Sequence, residues 1–407
     1  MMTNLKKEEL EIIKSIQMLE MPTRQLISES VFLSVQKVSV VLKSLEKKKI
    51  IMKGGKSFSV SGRPSYIYEV NPLQMYTIGA AIDNHRITTL IIDATKEIVK
   101  TTEHIFSDEA LASNSTTKLL DEIIEPLKLA KSELEKEGKK PVAIGISVPG
   151  MIDTARRVWL SGLHLPGINN LDINKEICKR MDVPVYVDDQ SRINTYYEKS
   201  VGHGKGINDF VVLYLGVGVG AGIVINNSIY RGAHGTAGEI GHIIHAHNNY
   251  RCSCGNVGCL ETVTSLEGVI RMFQDRLAEG VHSLLQVEDL TIETILDAAR
   301  KGDKLARTTL FEIGQFLGDA CITLINLFNP EKVIITGPLE ILKDYFTDAI
   351  HLALTRKIFP SILEQTKIQF ASYSAKNEAY GAALFATSQY WDDLLSSETN
   401  EVNSNCG

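Results

Sequence analysis

The sequence predicts an α/β protein with a small winged helix-turn-helix head at its N-terminus and a larger body of alternating strands and helices. Two observations on segment order support this. Residues 5–70 read as helix, short helix, turn, helix and two strands, and from Leu73 onward apolar strands alternate with amphipathic helices. At 407 residues and 44% hydrophobic, the chain can bury the cores of two or three domains.

Charge is distributed unevenly between head and body. Residues 1–72 hold 10 Lys and 2 Arg against 7 Glu and no Asp, a net charge of +5, whereas the whole chain carries −6. A basic head on an acidic body indicates a module that binds a polyanion.

The head begins with a helix over residues 5–19, in which apolar residues recur at helical spacing. Thr23 is predicted to cap a short helix over 24–30, and Ser34 a third helix that runs to about Lys49. This order is typical of a helix-turn-helix DNA reader. The predicted DNA-binding residues from this segment are Thr23, Ser34, Gln36, Lys37, Ser39 and Lys43, while Val35, Val38, Val41, Leu42 and Leu45 are assigned to the buried face.

Two strands are predicted to form the wing. Residues 50–52 and 57–61 read as strand on either side of a Lys-Gly-Gly-Lys turn, and 65–70 as the last strand. Arg63, between Gly62 and Pro64, is predicted to enter the minor groove of DNA. The alternative is a helical packing module with an ordinary charged face. Pro72 is the predicted end of this domain, 1–72.

The body continues with strands at 76–82, 86–93 and 97–104, a long helix at 116–136 and a buried strand at 141–148. Further strands are predicted at 184–187, 210–215 and 332–336, and helices at 263–279, 292–301, 305–328 and 377–390. Residues 396–407 are predicted to be a disordered tail.

The stretch Gly238–Glu261, GEIGHIIHAHNNYRCSCGNVGCLE, contains three cysteines and three histidines. Three Cys and one His suit a closed tetrahedral site, so Cys252, Cys254 and Cys259 are predicted to bind a structural Zn²⁺. The alternatives are a disulfide, for which Cys252 and Cys254 are too close in sequence, and reduced thiols without metal. The spacing leaves the fourth ligand open among His242, His245 and His247.

The GEIGH segment followed by C-x-C-G-x-x-G-C-L-E resembles the signature of the ROK family, which contains sugar kinases and sugar-responsive repressors. The resemblance implies a two-lobed, actin-like (RNase H-like) body, with a first lobe over 73–190 plus a returning helix at 377–395, and a second lobe over 191–376. It also implies that His242 is the fourth zinc ligand. By the same resemblance, the residues that face a sugar are Gly150, Asp189, Gln190, Arg192, Glu239, His242 and Glu261.

Four positions depart from the kinases of this family. Their phosphate-binding turn reads D-x-G-G-T, where this chain has Ala81–His85, and their E-N-D-A-N segment, which supplies the catalytic Asp, becomes Asp188–Arg192 with Gln190 at the position of the base. A phosphate-binding Thr is replaced by Val217, and one of two glycines near the adenine by Pro338. The sequence therefore predicts no ATP binding and no catalysis, with Asp189 and Arg192 forming an ion pair or a changed ligand contact.

Together these features predict a non-enzymatic transcriptional regulator that represses genes of carbohydrate uptake or metabolism. Its expected partners are double-stranded operator DNA and a sugar effector, and its expected assembly is a homodimer or a dimer of dimers. No apolar run approaches the ~18 residues of a membrane span, and the charged start does not resemble a signal peptide, so a cytoplasmic location is expected. The alternatives are an active sugar kinase with a DNA-binding head and a repressor controlled by a protein partner.

Overall fold

The computed structural model describes residues 5–57, 64–112, 115–154, 156–162, 165, 167–245 and 249–397. The chain divides into two compact units. The first comprises Met1–Ser147, Asp172–Val187 and Ala382–Gly407, and the second Val148–Leu171 and Asp188–Gly381. The α/β prediction is confirmed. The boundary predicted at Pro72 stays a prediction.

The head in the first unit contains α1 (Lys7–Met18), α2 (Arg24–Ser30) and α3 (Val35–Lys47), followed by β1 (Ile51–Ser57) and β2 (Ser65–Val70). Both predicted caps are present. The Thr23 hydroxyl accepts a hydrogen bond from the amide of Leu26 at 3.4 Å, and Ser34 accepts one from the amide of Lys37 at 3.3 Å. These bonds satisfy amides that have no partner inside the helix, so they fix where α2 and α3 begin.

The wing differs from the prediction. The segment Lys53–Lys56 was expected to be a turn, but it lies inside β1, which pairs with β2 from Ile51 opposite Val70 to Ser57 opposite Ser65. Gly54 and Gly55 read as turn residues because glycine tolerates most backbone conformations, whereas here the register shifts between Lys53 and Lys56, as in a β-bulge. The predicted strand over 57–61 and Arg63 lie largely outside the described residues.

The first unit contains a five-stranded sheet in the order β10-β6-β3-β4-β5. Its strands are β3 (Tyr76–Ile82), β4 (Arg86–Asp93), β5 (Ile98–Ile105), β6 (Pro141–Val148) and β10 (Val185–Asp189). The helices of this part are a 3₁₀ turn (Pro72–Gln74), α4 (Asp108–Ala112), α5 (Thr116–Lys136) and α6 (Ile173–Met181). The long helix and the strand at Pro141 have the predicted bounds.

The head shares one hydrophobic cluster with the rest of the first unit. Ile12, Ile13 and Leu42 of the head belong to the same buried cluster as Met75 and Trp391. At its edge, Gln17 accepts a hydrogen bond from the Trp391 indole, donates to the carbonyl of Ala94 at 3.0 Å, and accepts from Lys96 at its own carbonyl at 2.7 Å. The helices of the head are therefore packed into this unit.

The second unit is built on a sheet in the order β13-β12-β11-β14-β15, and it also contains a small antiparallel sheet. The small sheet is β7 (Met151–Asp153), β8 (Val158–Ser161) and β9 (Asn169–Leu171), and the main strands are β11 (Phe210–Leu215), β12 (Val219–Ile225), β13 (Ser228–Tyr230), β14 (Lys332–Thr336) and β15 (Lys367–Phe370). Its helices are α7 (Gln190–Ser200), α8 (Glu261–Thr264), α9 (Leu266–Ala278), α10 (Ile292–Arg300), α11 (Lys304–Phe328), α12 (Lys343–Lys357), α13 (Pro360–Leu363) and the start of α14 (Ala375–Ser397), with 3₁₀ turns at Ile240–His242, Val287–Asp289 and Pro338–Leu342.

Two helix predictions in this region need correction. The helix expected over 263–279 is interrupted at Ser265, whose hydroxyl accepts from the amide of Gly268 at 3.1 Å and so starts a new helix. The last helix, α14, runs from Ala375 to Ser397, so the tail does not begin at Ser396 as predicted, and residues 398–407 lie outside the described part.

Helix α11 is long and apolar enough to cross a membrane by length and composition alone, but half of its apolar stretch is buried inside the protein. Residues such as Leu310, Ile313 and Leu317 belong to the main hydrophobic cluster of the second unit. Because these residues are buried, the apolar composition of α11 is that of a core helix.

Candidate functional site: a carboxylate-lined cavity beside a thiol cluster

A cavity of about 590 Å³ lies within the second unit, where the start of α7, strand β12 and the 3₁₀ turn at Ile240–His242 meet. The structure places all seven residues that the sequence assigned to ligand binding on the wall of this one cavity: Gly150, Asp189, Gln190, Arg192, Glu239, His242 and Glu261. They come from four separate segments between Gly150 and Glu261, which the tertiary fold brings together around the cavity.

Glu261 is a buried carboxylate held in place by the backbone. It is 8% exposed, and one of its oxygens accepts a hydrogen bond from the amide of Val219 at 3.0 Å. It is therefore not an ordinary solvated carboxylate at a helix end. Glu239 is less enclosed, and burial, followed by the nearby charge of Asp189, raises the pKa of its carboxyl. Both groups offer oxygen acceptors to a ligand that donates hydrogen bonds.

Arg192 forms a buried charge network with two neighbouring aspartates. Its Nε donates to Asp188 at 2.7 Å, one terminal nitrogen pairs with Asp189, and the other donates to the carbonyl of Ala237 at 3.4 Å. Arg231 pairs with the second oxygen of Asp188 at 2.6 Å. Burial lowers the pKa of Arg192, but the two aspartates more than offset this, so its pKa is raised and the group stays charged.

Gln190 faces a second buried polar group. Its side-chain amide donates to Glu378 at 3.3 Å, and Glu378, which is fully buried, also accepts from Asn194 at 3.2 Å and from the hydroxyl of Tyr373 at 2.9 Å. The amide of Gln190 is thus used to satisfy a buried carboxylate. A carboxylate at position 190 would lie beside the negative charge of Glu378.

The glycine-rich segment of β12 provides close packing. A side chain at Gly222 would lie 1.7 Å from the hydroxyl of Thr195, and one at Gly220 would lie 2.2 Å from that of Ser191. Strand β12 can approach α7 this closely only because these positions lack a Cβ atom. Packing alone therefore accounts for these two glycines, without a phosphate ligand.

Beside the cavity, His242, Cys252, Cys254 and Cys259 form a cluster whose four potential ligand atoms all lie within 4.8 Å of one another. The Nδ1 atom of His242 is 3.6 Å from the Cys252 Sγ, and the Sγ atoms of Cys254 and Cys259 are 3.6 Å apart. A tetrahedral ion bonded to sulfur at ~2.3 Å and nitrogen at ~2.1 Å spaces its ligands by about 3.6–3.8 Å. The four residues fit such an ion.

Two of these thiols resist ionisation in the absence of a cation. Burial, followed by hydrogen bonds to the neighbouring thiols, raises the pKa of Cys259 to about 12, and burial raises that of Cys252. A hydrogen bond from the backbone of Asn256 lowers the pKa of Cys254. Metal ligation needs thiolates, so a bound cation is what would hold the three sulfurs ionised together.

The other two histidines of this stretch differ from His242. His245 contacts Asp319 at 3.0 Å, and His247 lies outside the described residues. Among the described residues, His242 is the histidine that joins the cysteines, and it also lines the cavity. The candidate metal cluster and the candidate ligand cavity thus share a residue.

In the first unit, the turn that the sequence resemblance aligns with the kinase phosphate-binding loop is occupied by its own side chain. One oxygen of Asp83 accepts from the amides of His85 and Arg86 at 2.8 and 2.9 Å, and the other pairs with the Arg86 Nε at 3.0 Å. An anion needs free amides in such a turn. Here the carboxylate of Asp83 already accepts the hydrogen bonds that these amides could donate to an anion.

The predicted DNA-binding residues of the head fall into two groups. Lys37 pairs with Glu8, and Ser39 donates to the carbonyl of Val35, whereas Gln36 and Lys43 make no such bond with any described residue. Thr23 and Ser34 act as helix caps, and Arg63 is outside the described part.

The wing carries a group that the sequence analysis missed. The exposed ring of Tyr66 lies 5.1 Å from the Lys53 ammonium and 5.4 Å from that of Lys56. Because Tyr66 and the two lysines are on opposite strands, only the pairing of β1 with β2 brings them together. A second missed residue is Arg231, whose partner Asp188 lies 43 residues earlier in the chain.

Comparison with known proteins agrees with these features. The model of the ROK family matches residues 77–389. A xylose repressor of Caldicellulosiruptor bescii is 27% identical over 391 residues, which is 95% of each chain. The crystal structure of a ROK family transcriptional regulator, a homologue of the Escherichia coli Mlc protein, superposes with a TM-score of 0.80 at 26% identity, covering 96% of this chain and 99% of the other.

A kinase is similar over a shorter part. A ROK family glucokinase from Streptomyces griseus, solved with glucose and AMPPNP, has a TM-score of 0.65 at 25% identity and covers 77% of this chain and 99% of its own. The regulator therefore matches nearly the full length, and the kinase matches about three quarters of it.

Proposed function

The chain belongs to the ROK family, and from this membership we propose that it is a DNA-binding transcriptional regulator that represses genes of carbohydrate uptake or metabolism. In this proposal the body does not phosphorylate sugars. It senses a sugar or sugar derivative, and the winged helix-turn-helix head binds operator DNA. The observation that carries the proposal is the full-length similarity to repressors, head included.

The cavity of the second unit is the proposed effector site. Glu239 and Glu261 would accept hydrogen bonds from sugar hydroxyls, while the buried network around Arg192 keeps the wall of the cavity rigid. Gly150, which has a φ of 89°, would close the cavity from the side of the small sheet. The effector changes DNA binding only if it binds the two states of the protein unequally.

The proposed metal is a structural Zn²⁺ held by His242, Cys252, Cys254 and Cys259. When bound, zinc would supply a rigid crosslink between the turn that carries Glu239 and the loop that leads to Glu261. His242 would then present its second ring nitrogen, which lies 3.8 Å from Glu239, to the cavity side. We expect one zinc per chain by elemental analysis, and less than half of that in Cys259→Ser.

Further parts of the proposal concern assembly and location. We propose a homodimer or a dimer of dimers, because a twofold repressor reads two half-sites about one helical turn apart. We also propose a cytoplasmic location, as expected of a protein that binds operator DNA and whose five described cysteines are thiols and form no disulfide.

The function is tested with purified full-length protein in two assays. Electrophoretic mobility shift with DNA from sugar-utilisation operons should show specific binding, and a panel of sugars should include one that weakens or strengthens it. A coupled assay with ATP and the same sugars should show no phosphorylation. Turnover of ATP that depends on a sugar, or indifference to duplex DNA at low salt, would contradict the proposal.

A further inference from the structure

A stripe of four residues runs along the exposed face of α3. Gln36, Val40, Lys43 and Lys47 follow one another at intervals of four, three and four residues, so they share one side of the helix. Val40 is 69% exposed, whereas Val38 on the opposite side is fully buried.

The polar members of the stripe are free to bind a partner. Gln36, Lys43 and Lys47 make no hydrogen bond or ion pair within the described parts of the chain. By contrast, Lys37 pairs with Glu8, and the hydroxyl of Ser39 donates to Val35 and accepts from Arg24. The stripe thus offers one free amide and two free ammonium groups around an exposed branched apolar side chain.

This combination matches one feature of the DNA major groove. An adenine–thymine pair presents there the N7 acceptor and N6 donor of adenine, which suit a glutamine amide, and the 5-methyl group of thymine, which suits an apolar side chain. Ammonium groups along the same helix suit phosphates. The net charge of +5 on residues 1–72 favours such a polyanion over an apolar protein surface.

We propose that Val40 is a specificity-determining residue that contacts the 5-methyl group of a thymine in each operator half-site, with Gln36 bonded to a nearby adenine and Lys43 and Lys47 on phosphates. This inference rests on the proposed DNA-binding function. It predicts that the operator requires a thymine methyl group at one defined position per half-site. A protein that recognised only the groove shape of A·T base pairs would not require that methyl group.

The test separates the methyl group from the rest of the base pair. Operator sequences are first selected from a random duplex library with the full-length protein. Each thymine of the selected site is then replaced by deoxyuridine, which removes only the methyl group, and affinities are measured by fluorescence anisotropy. At one position per half-site, affinity should fall by about fourfold, the loss expected for one buried methyl group.

The Val40→Ala variant completes a double-mutant cycle. It should bind the thymine operator at least fourfold more weakly than the wild-type protein, and it should no longer distinguish thymine from deoxyuridine at the sensitive position. The matched control is Val35→Ala. Contrary to its predicted place on the buried face, Val35 is 46% exposed at the start of the same helix, and its variant should keep the full methyl effect.

Each contrary result has a separate meaning. If no deoxyuridine substitution changes affinity, or if Val40→Ala keeps the methyl effect, the inference is wrong while DNA binding stands. A change of molecular mass in light scattering with Val40→Ala, at unchanged DNA affinity, would make Val40 a protein contact and overturn the inference. Failure to select any duplex would refute the proposed function and this inference together.

Discussion

By the resemblance to ROK kinases, Gln190 is predicted to stand at the position of their catalytic aspartate, and its amide is bonded to the buried carboxylate of Glu378. The substitution therefore does more than remove a base. It gives Glu378 a donor that an acidic residue could not supply, so the local packing now depends on an amide at this position.

We predict that Gln190→Glu, which keeps the size of the side chain, destabilises the protein by about 2–4 kcal/mol at pH 7, because two carboxylates would face each other in a buried site. The repulsion raises their pKa on folding, so the loss should shrink as the pH falls toward 5 and one group is protonated. Urea unfolding at both pH values measures this.

Gln190→Met is the control, since it removes the donor without adding charge, and its loss should be about 1–2 kcal/mol at either pH. Equal stability of Gln190→Glu and wild type at pH 7 would contradict the assigned contact with Glu378.

A second prediction concerns Arg192. Replacing it with Met leaves Asp188, which has no exposure, with Arg231 as its remaining ion-pair partner, and removes the ion pair of Asp189. Removing one member of a buried ion pair typically costs about 3–5 kcal/mol, and we expect that loss in thermal or chemical unfolding. Arg156→Met, which removes an exposed ion pair with Asp153, should change stability by less than about 0.5 kcal/mol. If both variants lost a similar amount of stability, the buried network around Arg192 would contribute no more than an exposed ion pair.

At the scale of elements, Glu9 joins the first and third helices of the head. Its carboxylate accepts from Lys48 at 2.7 Å, from Ser44 at 3.3 Å and from the amide of Lys6 at 3.2 Å. Burial raises the pKa of Glu9, but the hydrogen bonds from Lys48 and Lys6 more than offset this, so its pKa lies below the ordinary value of 4.5.

Because that pKa is lowered on folding, the stability contributed by Glu9 should be fully present above pH 4.5 and lost as the pH falls through the folded value. Glu9→Gln is therefore expected to cost about 1 kcal/mol at pH 7 and progressively less below pH 4. Glu11→Gln is the control on the same helix, since Glu11 makes no ion pair with any described residue. A penalty for Glu9→Gln that is independent of pH would contradict this reading.

The same scale shows what local sequence can predict. Helices α2 and α3 begin where expected because a hydroxyl at Thr23 and at Ser34 fixes the first turn, which is a local effect. The wing was assigned incorrectly because Gly54 and Gly55 are compatible with both a turn and a bulged strand, and only pairing with β2 decides between them.

The candidate site also combines contacts that local sequence predicts with contacts that it cannot predict. The three cysteines of the metal cluster lie within eight residues of one another, so their spacing predicted a metal site, whereas His242 was selected over His245 and His247 only by the family resemblance. The expected ion pair of Asp189 with Arg192 is also local. The bond from Arg192 to the carbonyl of Ala237 joins residues 45 apart in sequence, and the bond from Gln190 to Glu378 joins residues 188 apart. Contacts of that range depend on the tertiary fold, and no pattern in the sequence indicates them.

At the scale of the whole molecule, Trp391 ties the C-terminal helix to the head within the first unit. Its side chain is 1% exposed and belongs to the same cluster as Ile12 and Ile13, and its indole donates to Gln17. A head that folded on its own up to Pro72 would lack this contact.

Trp391→Ala should therefore destabilise the protein by about 3–5 kcal/mol and accelerate hydrogen exchange in α1 and α3 of the head, as measured by mass spectrometry. Trp159→Ala is the matched control, since Trp159 is equally buried but lies in the second unit, and its loss should leave exchange in the head unchanged. Unchanged head exchange in Trp391→Ala would show that residues 1–72 are an independent domain.

The bonds of Asp83 to the backbone of its own turn bear on which ligands this turn can accept. Because that carboxylate occupies the His85 and Arg86 amides, no single substitution opens the turn to an anion: a glycine at position 83 would leave both amides exposed without supplying further donors. Nucleotide binding at this turn would therefore require several substitutions made together.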